Sequence, residues 1–127
     1  MFETVLFPID HRRQALETAA VALKLAQQSG SRLVILSVVD SDDPSMADAA
    51  AVAQLLDQAR QRFSAEGLTC EVIEREGKPA FVIGDVADEI NADVIVMGTR
   101  GLSLEADQTS TAARVIQLAP CPVLVVP

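Results

Sequence analysis

Val94-Ile95-Val96-Met97-Gly98-Thr99-Arg100-Gly101, followed by Thr109-Ser110-Thr111 and the helical pattern Ala112 to Leu118, decides the fold. Val94 to Met97 is a short, uninterrupted apolar run, as expected of a strand covered on both faces in a parallel sheet. A glycine-bearing loop between the C-terminal end of such a strand and the start of a helix is where α/β proteins hold phosphates. Glycines let the backbone come close, and free helix N–H groups point at the anion. The same loop carries Glu105 and Asp107, and no glycine after Gly101.

Outward from this stretch, strand and helix patterns alternate along the chain. Thr4 to Ile9 is an apolar run. Ala15 to Gln28 follows as a helix with Leu16, Ala19, Ala20 and Leu23 on one face, and Gly30 is its stop. Arg32 to Asp40 reads as a second buried strand, and Ser41 to Ser45 as a loop. A long helix is expected over Met46 to Glu66, with Ala49, Val52, Ala53, Leu56 and Phe63 inward and Gly67 at its end. Thr69 to Glu76 alternates, Cys70 and Val72 against Glu71 and Arg75, which suits a partly exposed edge strand. Pro79 opens a helix, as proline favours the first turn, with Ile83, Val86, Ala87 and Ile90 inward. Val94 to Met97, a helix to Leu118 and a strand Val123 to Val126 complete the series.

Five strands and four helices in strict alternation, without internal repeat or linker, give one α/β domain over residues 1–127. The expected architecture is an open parallel sheet joined by right-handed crossovers, with helices on both faces. Ligands in such sheets bind beyond the strand C-terminal ends, where strand order reverses. The segments there are Pro8-Ile9-Asp10, Ser37-Val38-Val39 and the loop after Met97. Pro8 cannot donate to a ladder, so it either ends the first strand or shapes the backbone for a ligand.

Composition narrows the function. Half of the 127 residues are apolar and only 3% aromatic, so the core is aliphatic. A net charge of −8 argues against a nucleic-acid partner, whose phosphates would be repelled. No apolar run reaches the roughly 20 residues needed to cross a bilayer. Met1-Phe2-Glu3 lacks the basic start of a signal peptide, and the cytoplasm is the expected compartment. Cys70 and Cys121 lie in separate segments without metal-ligand spacing and read as buried reduced thiols. His11, the one histidine, has no companions for a metal site. Ser103, Ser110 and Thr111 have no His/Asp partners for a nucleophile triad. Asp40, Asp42 and Asp43 could hold a cation near phosphates; a polar loop before a helix is the account preferred here.

These residues resemble the universal stress protein family over the whole chain and in order. Val5-Leu6-Phe7-Pro8-Ile9-Asp10 resembles its opening strand ending in aspartate, and Ser37-Val38-Val39-Asp40 the end of its second strand. Gly77-Lys78-Pro79 resembles its turn before the third helix. Val94 to Gly101 resembles its fourth strand and first two loop glycines, and Ala119-Pro120-Cys121-Pro122-Val123-Leu124-Val125-Val126-Pro127 its ending. The resemblance implies a Rossmann-like five-stranded sheet of order 3-2-1-4-5 and a homodimer through the last strand, Val123 to Val126. An apolar edge strand at that position would itself invite pairing.

Nucleotide-binding members of that family carry Gly-x2-Gly-x9-Gly-Ser/Thr and hold ATP or a related adenine nucleotide. By this resemblance Asp10 would hold the ribose hydroxyls, and Pro8, Ile9 and Val38 would contact adenine. Met97, Gly98 and Gly101 would shape the floor. Backbone N–H groups at Gly101, Thr109 and Ser110 would lie near phosphates, and Arg100 could add positive charge. The spacer Leu102 to Gln108 has seven residues where the family has nine, and Thr109 stands where it has its third glycine. A Cβ there restricts close approach and positive φ. Glu105 and Asp107 would each cost about 2–3 kcal/mol against a phosphate charge ~6 Å away at an effective dielectric near 20. His11-Arg12-Arg13 replace small residues; Arg12 and Arg13 read as a solvated face.

Three functions compete. The first is a dimeric regulatory module that binds an adenine nucleotide, AMP or ADP in preference to ATP, with the role of Mg²⁺ left open. The second is an interaction protein of the same fold that acts in the stress response through its dimer and surfaces without nucleotide. An enzyme, at most a weak ATP hydrolase, ranks last, because no general base or defined Mg²⁺ ligand set is visible. Inserting two residues into Leu102 to Gln108 together with Thr109→Gly should raise ATP affinity in a titration; no gain would clear the altered loop of blame.

Overall fold

A computed structural model of the chain describes residues 2–11, 16–98 and 111–127. The elements follow in the order β1 (Thr4–Pro8), α1 (Leu16–Ser29), β2 (Arg32–Val39), α2 (Ala49–Ala65), β3 (Cys70–Glu76), α3 (Pro79–Glu89), β4 (Val94–Gly98), α4 (Thr111–Leu118) and β5 (Val123–Val126). The strands form one parallel sheet of order β3-β2-β1-β4-β5. This is the α/β architecture and strand order expected above.

The two-residue period of the strands sorts the core into two layers. Val5, Phe7, Leu33, Ile35, Val94 and Val96 pack with Ala22 and Ala26 of α1 and Val52, Leu56 and Phe63 of α2. Leu6, Val34, Leu36, Val38, Ile95 and Met97 pack with α3 and α4 on the opposite face. Crossovers of one hand require this division. From β1 to β3 the chain steps one way across the sheet, placing α1 and α2 on one face. After β3 it crosses back and steps the other way, so α3 and α4 take the other face. Burial on both faces explains the unbroken apolar runs of β2 and β4.

β3 is an edge strand, as its alternation suggested, but Val72 is not covered: it is 39% exposed. Cys70 packs on one core layer and Ile73 on the other. α2 begins at Ala49 rather than Met46, because Asp48 caps it, its Oδ1 accepting from Ala50 N at 3.0 Å. Met46 precedes the helix and is buried, whereas Ala49 and Ala53 are exposed; Val52, Leu56 and Phe63 face inward as expected.

The face of α1 also differs from expectation. Thr18, Ala22 and Ala26 are buried, Ala19 and Leu23 are half-buried, and Ala20 is exposed. The side chain of Leu16 lies outside the described residues. Small residues at i, i+4 and i+8 let the helix sit close to the sheet, with Val21, Leu23 and Leu25 flanking it. Gly30, at φ +60°, ends the helix in the left-handed region that glycine enters without penalty. Ala22→Leu should therefore overpack the core and cost about 1–3 kcal/mol. Ala20→Leu should change stability by less than about 0.5 kcal/mol. Urea unfolding of the two variants checks the assignment.

Candidate functional site

Strand order reverses at β1, between β2 and β4, so the crevice of interest lies above the C-terminal ends of these three strands. The direction of backbone groups explains why it opens there. Thr4 O accepts from Asp93 N, which precedes β4, whereas Glu3 O accepts from Arg32 N and Ile9 N donates to Leu36 O, both on β2. Even positions of β1 thus face β4, and Pro8 is even. β1 and β4 pair at Val5↔Val94 and Leu6↔Ile95. The missing N–H of Pro8 therefore falls on the β4 side, beyond this pairing. Pro8 thus ends the β1–β4 pairing, the first of the two readings its sequence position offers.

Even positions of β2 face β1 by the same alternation, and pairing with β1 runs to Pro8↔Leu36. Val38 thus turns its backbone N–H and C=O toward the space above β1, while its side chain is buried against α3 and α4. Ile9 packs on the opposite layer, toward α1 and α2. Of the three residues expected to contact adenine, Ile9 and Val38 therefore flank the strand ends from opposite faces of the sheet. Asp10 follows Ile9, half-buried, at the mouth of the crevice. Met97 and Gly98 end β4 and are buried beneath it. Pro8, Ile9, Asp10, Val38, Met97 and Gly98 are therefore grouped at one end of the sheet. Arg100, Gly101, Thr109 and Ser110, with Glu105 and Asp107, lie outside the described residues.

Three side chains outside that group shape the site. Ser37, inside an aliphatic strand and 1% exposed, donates its Oγ hydrogen to Ile9 O at 2.9 Å, fixing the path out of β1. The signal was available: a hydroxyl among buried aliphatic residues needs a partner. His11 N donates to Met46 Sδ at 3.4 Å, and His11 Nδ1 lies 2.9 Å from Ser45 O. Thr18 of α1 lies under Gly98, where an added Cβ would come within 2.6 Å of Thr18 Oγ1. Gly98 thus has a packing reason to be glycine, independent of any phosphate.

The acidic loop after β2 is internally satisfied. Asp40 Oδ1 accepts from Asp42 N at 3.0 Å, and Asp43 Oδ1 accepts from Ser45 N and Ser45 Oγ at 3.0 and 2.8 Å. Lys78 Nζ bonds Asp42 and lies 3.4 Å from Asp40 Oδ1. The Lys78 hydrogen bond, then its charge, holds the Asp42 carboxyl below the usual range, and Asp42 in turn raises Lys78. This supports the preferred reading of Asp40, Asp42 and Asp43 as a polar loop. Among the described residues no cluster of three metal-ligating side chains is present. Cys70 and Cys121 are free and half-buried; burial pushes both thiols up, Arg60 opposing this at Cys70 and Asp93 adding to it at Cys121. Raised thiols stay protonated and unreactive at neutral pH. No helix among the described residues is long and apolar enough to cross a membrane.

Residues 1–127 match the model of the universal stress protein family. A universal stress protein of Synechocystis sp. is 48% identical over 136 aligned positions, covering 100% of this chain and 87% of the relative. Among solved structures, a universal stress protein from Lactobacillus plantarum superposes with a TM-score of 0.83 at 25% identity, covering 99% of this chain and 98% of its own. A universal stress protein crystallised in complex with cAMP superposes with a TM-score of 0.81 at 26% identity, covering 99% and 97%.

Gly98→Ala should destabilise the protein by about 1–3 kcal/mol through overpacking against Thr18. The loss should shrink in a Thr18→Ala background, and a double-mutant cycle read by denaturant unfolding measures the coupling. Strict additivity would remove the packing reason for this glycine.

Proposed function

The chain belongs to the universal stress protein family, and on that premise we propose that it is a dimeric regulatory module that binds an adenine nucleotide. The observation that carries the reading is the crevice above β1. There Asp10 stands at the mouth and Val38 turns a backbone donor and acceptor outward beyond the last rung. A flat heterocycle with adjacent donor and acceptor suits such a strand end, and a carboxylate suits a pair of ribose hydroxyls. The cAMP complex of a structural neighbour at 26% identity supports the same ligand class.

The preferred ligand is AMP or ADP rather than ATP. Glu105, Asp107 and Thr109, with the short spacer Leu102 to Gln108, burden the far phosphates most, and AMP has none beyond the first. The proposal is one of binding, without a catalytic residue, and the proposed compartment is the cytoplasm. The proposed dimer forms through β5. This strand is an edge of the sheet, its sequence Val123-Leu124-Val125-Val126 is apolar, and Leu124 is 40% exposed. An unprotected apolar edge is stabilised by pairing with a second copy.

A second reading, an interaction protein of this fold acting without nucleotide, is favoured by the exposed Phe81, Ile116 and Leu118 on α3 and α4. Calorimetric titration with ATP, ADP and AMP, each with and without Mg²⁺, decides between the two. The expected order is AMP or ADP tighter than ATP, with Asp10→Ala abolishing the heat. In thermal unfolding, a nucleotide at 100 times its Kd should add about 2.7 kcal/mol. Silence from a folded protein with all three would favour the second reading. Sedimentation should show a dimer at micromolar concentration, and a stable monomer would overturn the β5 interface.

A further inference from the structure

The loop that carries Asp10 leaves β1 with its backbone tied at two successive points. Ser37 Oγ donates to Ile9 O at 2.9 Å. Two residues on, His11 reaches the loop between β2 and α2: its N–H meets Met46 Sδ at 3.4 Å, and its ring Nδ1 meets Ser45 O at 2.9 Å. Asp10 lies between these ties. Met46 is 3% exposed and Ser45 is bound to Asp43, so the far end of the tie is itself anchored. That loop is closed by Asp40 N on Met46 O at 3.0 Å and Met46 N on Asp43 O at 2.9 Å.

We propose that His11 is a positioning residue for Asp10. Its imidazole, protonated on Nδ1, staples the β1 exit to the Ser45-Met46 turn and so fixes where the Asp10 carboxylate stands. A carbonyl oxygen only accepts, so the hydrogen of this contact sits on Nδ1. In the neutral ring Nε2 is then the bare nitrogen. The tie spans 34 residues of sequence and joins the exit of β1 to the turn after β2. Geometry of this kind matters because a charged group displaced by about 1 Å loses much of its effect on a bound partner. The proposal rests on the nucleotide reading for its ligand arm alone; the staple itself is a property of the free protein.

The experiment uses the full chain with His11→Ala, His11→Asn, Asp10→Ala and wild type. Asparagine places its amide N–H close to where the imidazole has Nδ1–H, so it can remake the bond to Ser45 O. In nitrogen-15 spectra of the wild type, Nδ1 of the neutral ring should carry the proton. Amide exchange at Asp10 and His11 should quicken at least tenfold in His11→Ala and return toward wild type in His11→Asn, with the melting curves close together. AMP and adenosine should both weaken by three- to tenfold in His11→Ala and recover in His11→Asn, since the ribose and not the phosphate is affected. A proton on Nε2 in the neutral ring, or unchanged exchange at Asp10 in His11→Ala, would overturn the proposal. Absence of nucleotide binding by wild type would overturn the functional reading, while the tautomer and exchange results would still judge the staple. If His11→Ala does not fold, the ring spectrum of wild type and the exchange rates of His11→Asn decide it.

Discussion

The position of β1 between β2 and β4 constrains the rest of the structure. With strand order reversing there, crossovers of a single hand must place α1 and α2 on one face and α3 and α4 on the other. The chain therefore leaves β1 and β4 toward opposite faces, and the strand ends part. Proline at position 8 ends the pairing with β4 at Leu6↔Ile95, since its missing N–H is the one that would have faced that strand. The place of the candidate site is thus set by topology, with a residue that cannot donate a hydrogen bond at its edge.

Much of this was legible in the sequence because aliphatic runs and turn residues carry unambiguous signals. The buried strands Leu33 to Val39 and Val94 to Met97, the Pro79 helix start and the Gly30 stop all stand where their chemistry puts them. The helix faces were less legible. In α1, alanines at 19, 20, 22 and 26 offer no contrast in bulk, so the sequence pattern found Ala19 and Leu23, which pack at the margin of the core, took in the exposed Ala20 and missed Ala22 and Ala26 at its centre. Close approach to a sheet is made by the smallest residues, which periodicity of large side chains does not register. The start of α2 was hidden because Met46, apolar and buried, belongs to the turn, and the signal that mattered was the Asp48 cap.

The candidate site divides along similar lines. The residues at strand ends, Pro8, Asp10, Val38 and Met97, could be named from their position at the end of an apolar run. Most of their supports could not. Ser45, Met46 and Thr18 act through contacts between segments far apart in sequence, such as the 34 residues between Ser45 and His11, whereas the hydroxyl of Ser37 inside an aliphatic run carried its own signal. The acidic loop shows the reverse. Three aspartates within four positions left a cation site open beside the preferred polar loop, and the structure supplies their partners from Lys78 and from neighbouring amides. Charge clustering in a sequence is informative only when the groups that neutralise it are also known.

Gly98 carries a consequence for how loops of this type are recognised. Its missing side chain makes room for Thr18 of α1, whatever occupies the crevice. A chain that lost its ligand would still be held to glycine at this position by its own folding. Surveys that score nucleotide binding by counting loop glycines would therefore credit such a chain with a vestige that reports on a helix beneath the sheet end. The informative positions are those where glycine serves the ligand alone.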